Sequence, residues 1–260
     1  MRKNIIFLIL MKYKLDSKKF WLGLMIGNSR LHWAKFEGSQ LLKTWDTEHS
    51  DLEENRGNCL DSVPIKLASV VPEQTKIWQQ YSNVEVITLE QIPLKNLYPT
   101  LGIDRALAVL GAGTKLGFPV LVIDAGTALT FTGCDRDQSL VGGAILPGLG
   151  LQFSALANKT AALPQISKPQ HLPQRWAIET PGAIHSGTIY TLLAGIRDFI
   201  EAWCQDFPES QIVLTGGDAS ILMTYLQEYF PSVYTQILEI SDVIFWGILV
   251  FRQKQLESTP

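Results

Sequence analysis

Residues 122–135, VIDAGTALTFTGCD, combine an apolar run, a short polar turn and a second apolar run. The turn carries Asp124, Gly126 and Thr127, and Thr130 follows within the returning run. A solvent-facing turn would explain the aspartate and the glycine, but not the threonines that lead straight back into apolar residues. The stretch therefore predicts a strand, a tight turn and a second strand, with a carboxylate at the tip.

A similar unit occurs about 100 residues earlier, at residues 24–36, LMIGNSRLHWAKF. Both stretches contain an apolar strand, a turn with glycine and a small polar residue, and a returning strand. Such an internal echo is typical of a duplicated domain. Turns of this kind offer backbone N–H groups and hydroxyls to phosphate oxygens. We therefore expect two related lobes whose turns face a shared cleft.

The composition is that of a globular chain with no nucleic-acid signature. Apolar residues make up 46% and charged residues 18% of the 260 residues, and the formal net charge is -3. Lysine and arginine are scattered, so we expect no nucleic-acid partner. Cys59, Cys134 and Cys204 are widely spaced and contain no C-x-x-C pair. This pattern argues against a disulfide framework and a zinc site, and it favours the cytoplasm.

The N-terminus has a basic start and an apolar run at residues 5–11. This run is too short to cross a membrane, and no small-residue cleavage site follows it. We therefore interpret residues 1–18 as an extension or the product of an early start codon and expect no membrane partner, with membrane attachment as a minor alternative. The first lobe is predicted at residues 19–118 and the second at residues 119–260.

Two further segments have clear patterns. Residues 104–116, DRALAVLGAGTKL, are rich in alanine and leucine and begin with an aspartate, which predicts a packed helix with an N-terminal carboxylate. Residues 186–204 predict a long helix, and residues 211–222, QIVLTGGDASIL, predict a strand, a glycine turn and a helix start.

Several short polar or glycine-rich motifs follow one another along the chain: MIGNS at 25–29, GIDR at 102–105, DAGT at 124–127, GGAILPG at 142–148, ETPGAIHSG at 179–187 and TGG at 215–217. This series, from about residue 24 to residue 247, resembles that of type III pantothenate kinases. The resemblance implies an α/β fold of the actin, Hsp70 and sugar-kinase superfamily. This fold has two duplicated ribonuclease-H-like (actin-like ATPase) lobes, each a mixed sheet flanked by helices. It also implies ATP-dependent phosphorylation of pantothenate to 4′-phosphopantothenate, the first step of coenzyme A biosynthesis.

The resemblance also implies a substrate site around GIDR. Taken alone, Asp104 before an Ala-rich helix is more often only an N-cap. The family pattern implies instead that it is the general base for the primary hydroxyl of pantothenate. Arg105 would hold a carboxylate or phosphate through its planar fork. The implied substrate-binding residues are Tyr98, Gly102, Ile103, Asp104, Arg105 and Thr180, and plain packing remains an equal alternative for Tyr98.

The implied ATP site uses both turns and the later glycine pair. Its residues are Met25, Ile26, Gly27, Asn28, Ser29, Arg30, Thr127, Gly216 and Gly217. Asp124 is implied to bind a monovalent cation, K⁺ or NH₄⁺, beside Mg²⁺ and ATP, whereas an Asx turn is the alternative from the residues alone. Met25 departs from the family pattern, because it stands where the family has an acidic residue and a thioether cannot replace a carboxylate near magnesium.

The helix that follows Thr180 is a candidate for the contact between two subunits. The resemblance implies a homodimer, and the helix has an apolar face that a two-fold partner could share with the lobe's own sheet: Ile184, Ile189, Leu192, Leu193, Ile196 and Phe199. The alternative is that the whole face is intrachain core. Because of Met25, two other functions also stay open, a non-catalytic nucleotide-binding relative and a kinase for another small hydroxyl substrate.

Overall fold

The computed structural model describes residues 20–49 and 63–258, and these form two compact units. The interpretations of residues 1–18 and of Cys59 lie outside the described residues. The first unit comprises residues 20–49, 63–93, 97–111 and 244–258, and the second comprises residues 94–96 and 112–243. The C-terminal helix thus groups with the first unit, whereas a division after residue 118 would assign it to the second.

Ten strands and seven α-helices are formed by the described residues. The strands are β1 (Phe20–Ile26), β2 (Leu31–Glu37), β3 (Gln40–Thr47), β4 (Ile65–Ser69), β5 (Val84–Val86), β6 (Val120–Ala125), β7 (Ala128–Cys134), β8 (Leu140–Pro147), β9 (Gln211–Thr215) and β10 (Ile237–Glu239). The helices are α1 (Pro72–Trp78), α2 (Ile103–Leu116), α3 (Leu149–Lys159), α4 (Thr180–Asp206), α5 (Ala219–Tyr229), α6 (Pro231–Tyr234) and α7 (Val243–Ser258). None of them, within the described part of the chain, is both long and apolar enough to traverse a bilayer.

The two units contain sheets of the same strand topology. The first sheet has the order β3-β2-β1-β4-β5, and the second has the order β10-β9-β6-β7-β8. In each, the first strand pairs antiparallel with the second, and the second pairs antiparallel with the third. On its other side the first strand pairs with a parallel strand, and a further parallel strand pairs with that one. The two similar stretches of sequence, residues 24–36 and 122–135, lie in β1–β2 and β6–β7. The duplication predicted from the sequence is therefore confirmed in the topology.

Close helix packing positions α2 in the first unit. Gly23 of β1 leaves room for Phe245 and Ile248 of α7, which lie 3.4 and 3.6 Å from where its Cβ would stand. A Cβ on Gly247 of α7 would overlap the backbone of Leu107 in α2. Since both positions are glycine, α7 packs directly against β1 and α2. This packing fixes the helix that begins with the GIDR motif.

The apolar face of α4 is largely intrachain core. Five of the six residues considered for a dimer contact are buried in the second unit's core: Ile184, Ile189, Leu192, Leu193 and Ile196. Only Phe199 of that set is partly open, at 43% exposure, and its ring stacks on Phe131 of β7 at 4.3 Å. The alternative that the face serves the chain's own core accounts for these five positions.

Candidate active site

The GIDR motif places a carboxylate at the first turn of α2. Asp104 Oδ1 accepts a hydrogen bond from the backbone N–H of Arg105 at 2.8 Å. A Cβ on Gly102 would overlap this carboxylate, so glycine is needed for its close approach. Burial raises the pKa of Asp104, and the hydrogen bond and positive charge of Arg105 only partly oppose that rise. Such a carboxylate accepts a proton more readily than a surface aspartate does.

Arg105 and Tyr98 complete this part of the site. Arg105 is buried, and its Nη1 donates a hydrogen bond to the hydroxyl of Tyr98 at 3.0 Å. Tyr98 itself is 40% exposed. Since the tyrosine hydroxyl accepts from the guanidinium, its own hydrogen can be donated to a ligand. Tyr98 therefore has a polar role beside Arg105, and packing alone does not describe it.

The first turn joins β1 to β2. The N–H of Gly27 donates to the carbonyl of Arg30 at 3.0 Å and closes the turn. Residues 28–30 are exposed, whereas Met25 and Ile26 are buried at 2% and 0% exposure. The side chains of the exposed turn residues can therefore reach a ligand. Those of the last two residues of β1 lie inside the unit.

The second turn is supported by the end of β8. The N–H of Gly126 donates to the carbonyl of Ala128 at 3.1 Å, and the N–H of Gly148 donates to the carbonyl of Thr127 at 2.9 Å. A Cβ on Gly148 would overlap the carbonyl oxygen of Gly126. Thr127 is exposed at the tip. The glycine that ends GGAILPG is thus a support for this turn, which the motif order alone did not indicate.

Gly216 lies directly against Asp124. Gly216 has φ +95°, and a Cβ there would overlap Asp124 Oδ1 and the backbone of Ala125. The N–H of Asp218 also donates to the carbonyl of Ala125 at 2.9 Å. Only glycine combines this conformation with so close an approach. The second unit therefore brings together Asp124 and the glycine turn that were predicted to serve the cation and the nucleotide.

An ion pair beside this turn was not predicted. The ammonium of Lys168 donates to Asp218, which is buried and directly follows Gly217. The hydroxyl of Tyr225 donates to the carbonyl of Pro169, and burial, followed by the charge of Asp218, raises the pKa of Tyr225 to about 12. These contacts hold the segment before α4 against the start of α5. Adjacency to the glycine pair could have pointed to Asp218, whereas Lys168 has no local sequence signal.

Thr180 begins α4 in the second unit. The preceding Glu179 accepts a hydrogen bond from the N–H of Gly182 at 2.6 Å and caps the helix, and Thr180 is exposed. The predicted substrate residues 98–105 belong to the first unit. The implied substrate set therefore comes from both units.

Comparison with known proteins identifies the family. A family model described as type III pantothenate kinase matches residues 21–202. The chain belongs to the type III pantothenate kinase family. A type III pantothenate kinase of Nostoc sp. (strain PCC 7120) is 49% identical over 255 residues, which cover 88% of this chain and 92% of the relative. That of Synechocystis sp. (strain PCC 6803) is 51% identical over 235 residues, covering 90% of each.

Solved structures with low identity support the fold of this family member. A Campylobacter jejuni protein described as a Baf family transcriptional activator has a TM-score of 0.66 at 20% identity, covering 91% of this chain and 99% of that one. The activator of 2-hydroxyisocaproyl-CoA dehydratase from Clostridium difficile, solved with bound ADPNP, has a TM-score of 0.51 at 10% identity, covering 93% and 98%. With the two equivalent sheets, these matches confirm the predicted class of duplicated ribonuclease-H-like, actin-like ATPase lobes.

Proposed function

We propose that this chain phosphorylates pantothenate with ATP and that Asp104 is the general base. The observation that carries the assignment is the partly buried carboxylate at the start of α2, whose pKa is raised by burial. It lies next to Arg105, whose guanidinium is bonded to Tyr98. This pairs a proton acceptor with a donor group suited to an anionic substrate. Relatives at about half identity over most of the chain are named as kinases for pantothenate.

In the reaction, Asp104 accepts the proton of the primary hydroxyl of pantothenate as that oxygen bonds to the γ-phosphorus of ATP. The bond between the γ-phosphorus and the β–γ bridging oxygen breaks, and ADP leaves. Arg105 and Tyr98 bind the pantothenate carboxylate, and the backbone of Gly102 and Ile103 borders the substrate. Thr180 adds a hydroxyl from the second unit.

The proposed ATP contacts are the first turn in the first unit, and Thr127 with the glycine pair in the second unit. Residues 28–30 and Thr127 are exposed and offer donors to phosphate oxygens, and Gly27 closes the turn that presents residues 28–30. At Gly217 a Cβ would meet nothing within 4 Å, so there is open space beside the backbone for the adenosine. The main chain of Met25 and Ile26 supports the first turn from within β1.

Two cations are proposed, a monovalent cation bound by Asp124 and Mg²⁺ bound together with the nucleotide. The carboxylate of Asp124 lies beside Gly126 and Gly216 and can supply an oxygen to K⁺ or NH₄⁺. Within residues 20–49 and 63–258 no group of three or more histidine, cysteine, aspartate or glutamate residues could enclose a metal. This fits Mg²⁺ held mainly by phosphates and water, and it is compatible with Met25 at the first turn. When bound, Mg²⁺ neutralises charge on the β- and γ-phosphates.

The homodimer is proposed on a surface other than the α4 face. Trp176 and Ile178 are 87% and 99% exposed, and they lie in the segment that leads into Thr180. Large apolar side chains exposed so fully are typical of a contact with a partner. The particle should sediment near twice the 29.0 kDa chain mass, and a Trp176→Ser, Ile178→Ser variant should sediment as a monomer. A wild-type monomer with full activity would refute the dimer.

The cytoplasm is the proposed location, with Cys134 and Cys204 as free thiols.

The deciding experiment measures ADP release by the purified chain with ATP, Mg²⁺ and K⁺, with and without pantothenate. We expect ADP release only with pantothenate, and 4′-phosphopantothenate as the product by mass spectrometry. Asp104→Asn is the matched control, because it should bind ATP without turnover. ADP release that is independent of pantothenate, or a preference for another small polyol, would refute the proposal.

A further inference from the structure

The chain enters the second unit for three residues just before the proposed substrate residues. Residues 63–93 and 97–111 belong to the first unit, and residues 94–96 between them belong to the second. Tyr98 follows two residues after this segment, and GIDR follows at residues 102–105. The segment 94–96 therefore connects the proposed pantothenate residues covalently to the second unit.

Three hydrogen bonds hold this segment on the turn between β7 and β8. The N–H of Lys95 donates to the carbonyl of Gln138, and the N–H of Leu140 donates to the carbonyl of Lys95, each at 2.9 Å. The side-chain amide of Asn96 donates to Ser139 Oγ at 2.6 Å. Ser139 is buried at 9% exposure, so water competes little for this bond. Asn96 and Ser139 thus add a side-chain bond to the two backbone bonds.

Both sides of this contact have a left-handed backbone. Asn96 has φ +57° and Gln138 has φ +59°, and within residues 20–49 and 63–258 no other non-glycine residue has a positive φ. This conformation costs free energy in residues other than glycine, although asparagine tolerates it better than most. Backbone held in such a conformation persists only where the surrounding contacts determine it. The bonds to the turn therefore set the direction in which the chain leaves Asn96 towards Tyr98.

Tyr98 is constrained at its backbone and at its hydroxyl. The residue is 40% exposed, so core packing alone does not fix its ring. Its hydroxyl accepts the hydrogen bond from Arg105 Nη1 at 3.0 Å, and its carbonyl accepts one from the N–H of Leu101 at 3.0 Å. Two extended residues span at most about 7 Å, so the anchored Asn96 limits where the backbone of Tyr98 can lie.

We propose that the bond between Asn96 and Ser139 holds Tyr98 where its hydroxyl, together with Arg105, binds the carboxylate of pantothenate. This inference rests on the proposed function of Tyr98 and Arg105. Asn96 and Ser139 are positioning residues, because they act through Tyr98 and do not themselves contact the substrate. Without their bond the segment takes up other positions, and a smaller fraction of the enzyme is ready to bind pantothenate. The affinity for pantothenate then falls, whereas the affinity for ATP does not.

Ser139→Ala tests the bond directly, because it removes the hydroxyl and leaves both backbone bonds of Lys95 in place. Loss of one such hydrogen bond should raise the KM and the Kd for pantothenate by about twofold to tenfold. The KM for ATP and kcat should be unchanged. A matched control lies in the first unit, where Ser39 Oγ accepts a hydrogen bond from the side-chain amide of Gln253 at 3.1 Å. Ser39→Ala should leave all four constants unchanged.

Two comparisons separate positioning of Tyr98 from a general loss of structure. Pantothenol has a hydroxyl in place of the carboxylate of pantothenate, so Ser139→Ala should raise its KM less than that of pantothenate. Tyr98→Phe removes the hydroxyl through which Ser139 is inferred to act. The effects of Ser139→Ala and Tyr98→Phe on the pantothenate KM should therefore not add in the double variant.

The outcomes distinguish this inference from the proposed function. If the wild-type chain forms no 4′-phosphopantothenate, the proposed function fails and this inference fails with it. If the wild-type chain is active and Ser139→Ala has an unchanged pantothenate KM, only the inference is overturned. Additive effects of Ser139→Ala and Tyr98→Phe would also overturn it. So would an equal rise of the KM for ATP and for pantothenate with a lower urea midpoint, because Ser139 would then support the fold and not Tyr98.

Discussion

Replacing Asp104 by asparagine should separate catalysis from folding. The asparagine Oδ1 can still accept the hydrogen bond that the N–H of Arg105 donates at 2.8 Å, so the start of α2 is retained. The variant cannot accept the proton of the substrate hydroxyl. Loss of a general base costs about a hundredfold to ten-thousandfold in rate, which corresponds to about 3 to 5 kcal/mol of transition-state stabilisation.

The pH dependence of the same variant follows from the raised pKa of Asp104. The base must be ionised, so wild-type kcat should fall in acid, with its midpoint above the usual range of an aspartate. For stability, the folded state holds this proton more readily than the unfolded state does. The aspartate therefore lowers stability as pH rises through the folded pKa, and asparagine avoids this loss. We expect Asp104→Asn to be as stable as wild type below the ordinary carboxyl pKa, and more stable at neutral pH.

These expectations need two measurements on the same preparations. Steady-state kinetics from pH 4.5 to 8 gives the acid limb. Urea unfolding from about pH 3 to 8 gives stability on both sides of the ordinary carboxyl pKa. ATP binding by calorimetry shows whether the nucleotide site is intact. An asparagine variant with near-normal kcat would refute the base assignment. A variant with lost turnover, lost ATP affinity and a lower urea midpoint at every pH would show that Asp104 has a structural role instead.

Three further predictions concern the second unit. If Asp124 binds the cation, activity should rise when K⁺ replaces Na⁺ at constant ionic strength, and Asp124→Ala should abolish the rise; equal wild-type rates in both salts would contradict this. Gly216→Ala should lower the free energy of unfolding by about 1 to 3 kcal/mol, because of its positive φ and its contact with Asp124. Gly217 has open space around it, so Gly217→Ala should change the free energy of unfolding by less than about 0.5 kcal/mol. Equal losses of unfolding free energy for the two variants in urea would refute the steric argument. Burial raises the pKa of Cys134 to about 12, so iodoacetamide at pH 8 should label it only in unfolded protein, as mass spectrometry can check.

Local patterns predicted the elements that carry the motifs. The two strand–turn–strand units and the helix of residues 103–116 follow from alternating or helical apolar spacing and from the turn residues between them. No local pattern in the sequence predicts β3, because none of its eight residues is buried and apolar and polar residues alternate poorly along it.

The sequence by itself determined the duplicated units, the order of the motifs and the helix headed by Asp104, because these depend on residues close together in the chain. Only the tertiary structure decided which distant residues meet. Gly216 against Asp124, Gly148 against Gly126 and Gly247 against Leu107 depend on how strands and helices pack. His32 and Asp46 are 14 residues apart, and the register of β2 with β3 makes them neighbours. The same packing placed most of the apolar face of α4 in the core, since a helical spacing shows that a face is buried but not which surface buries it.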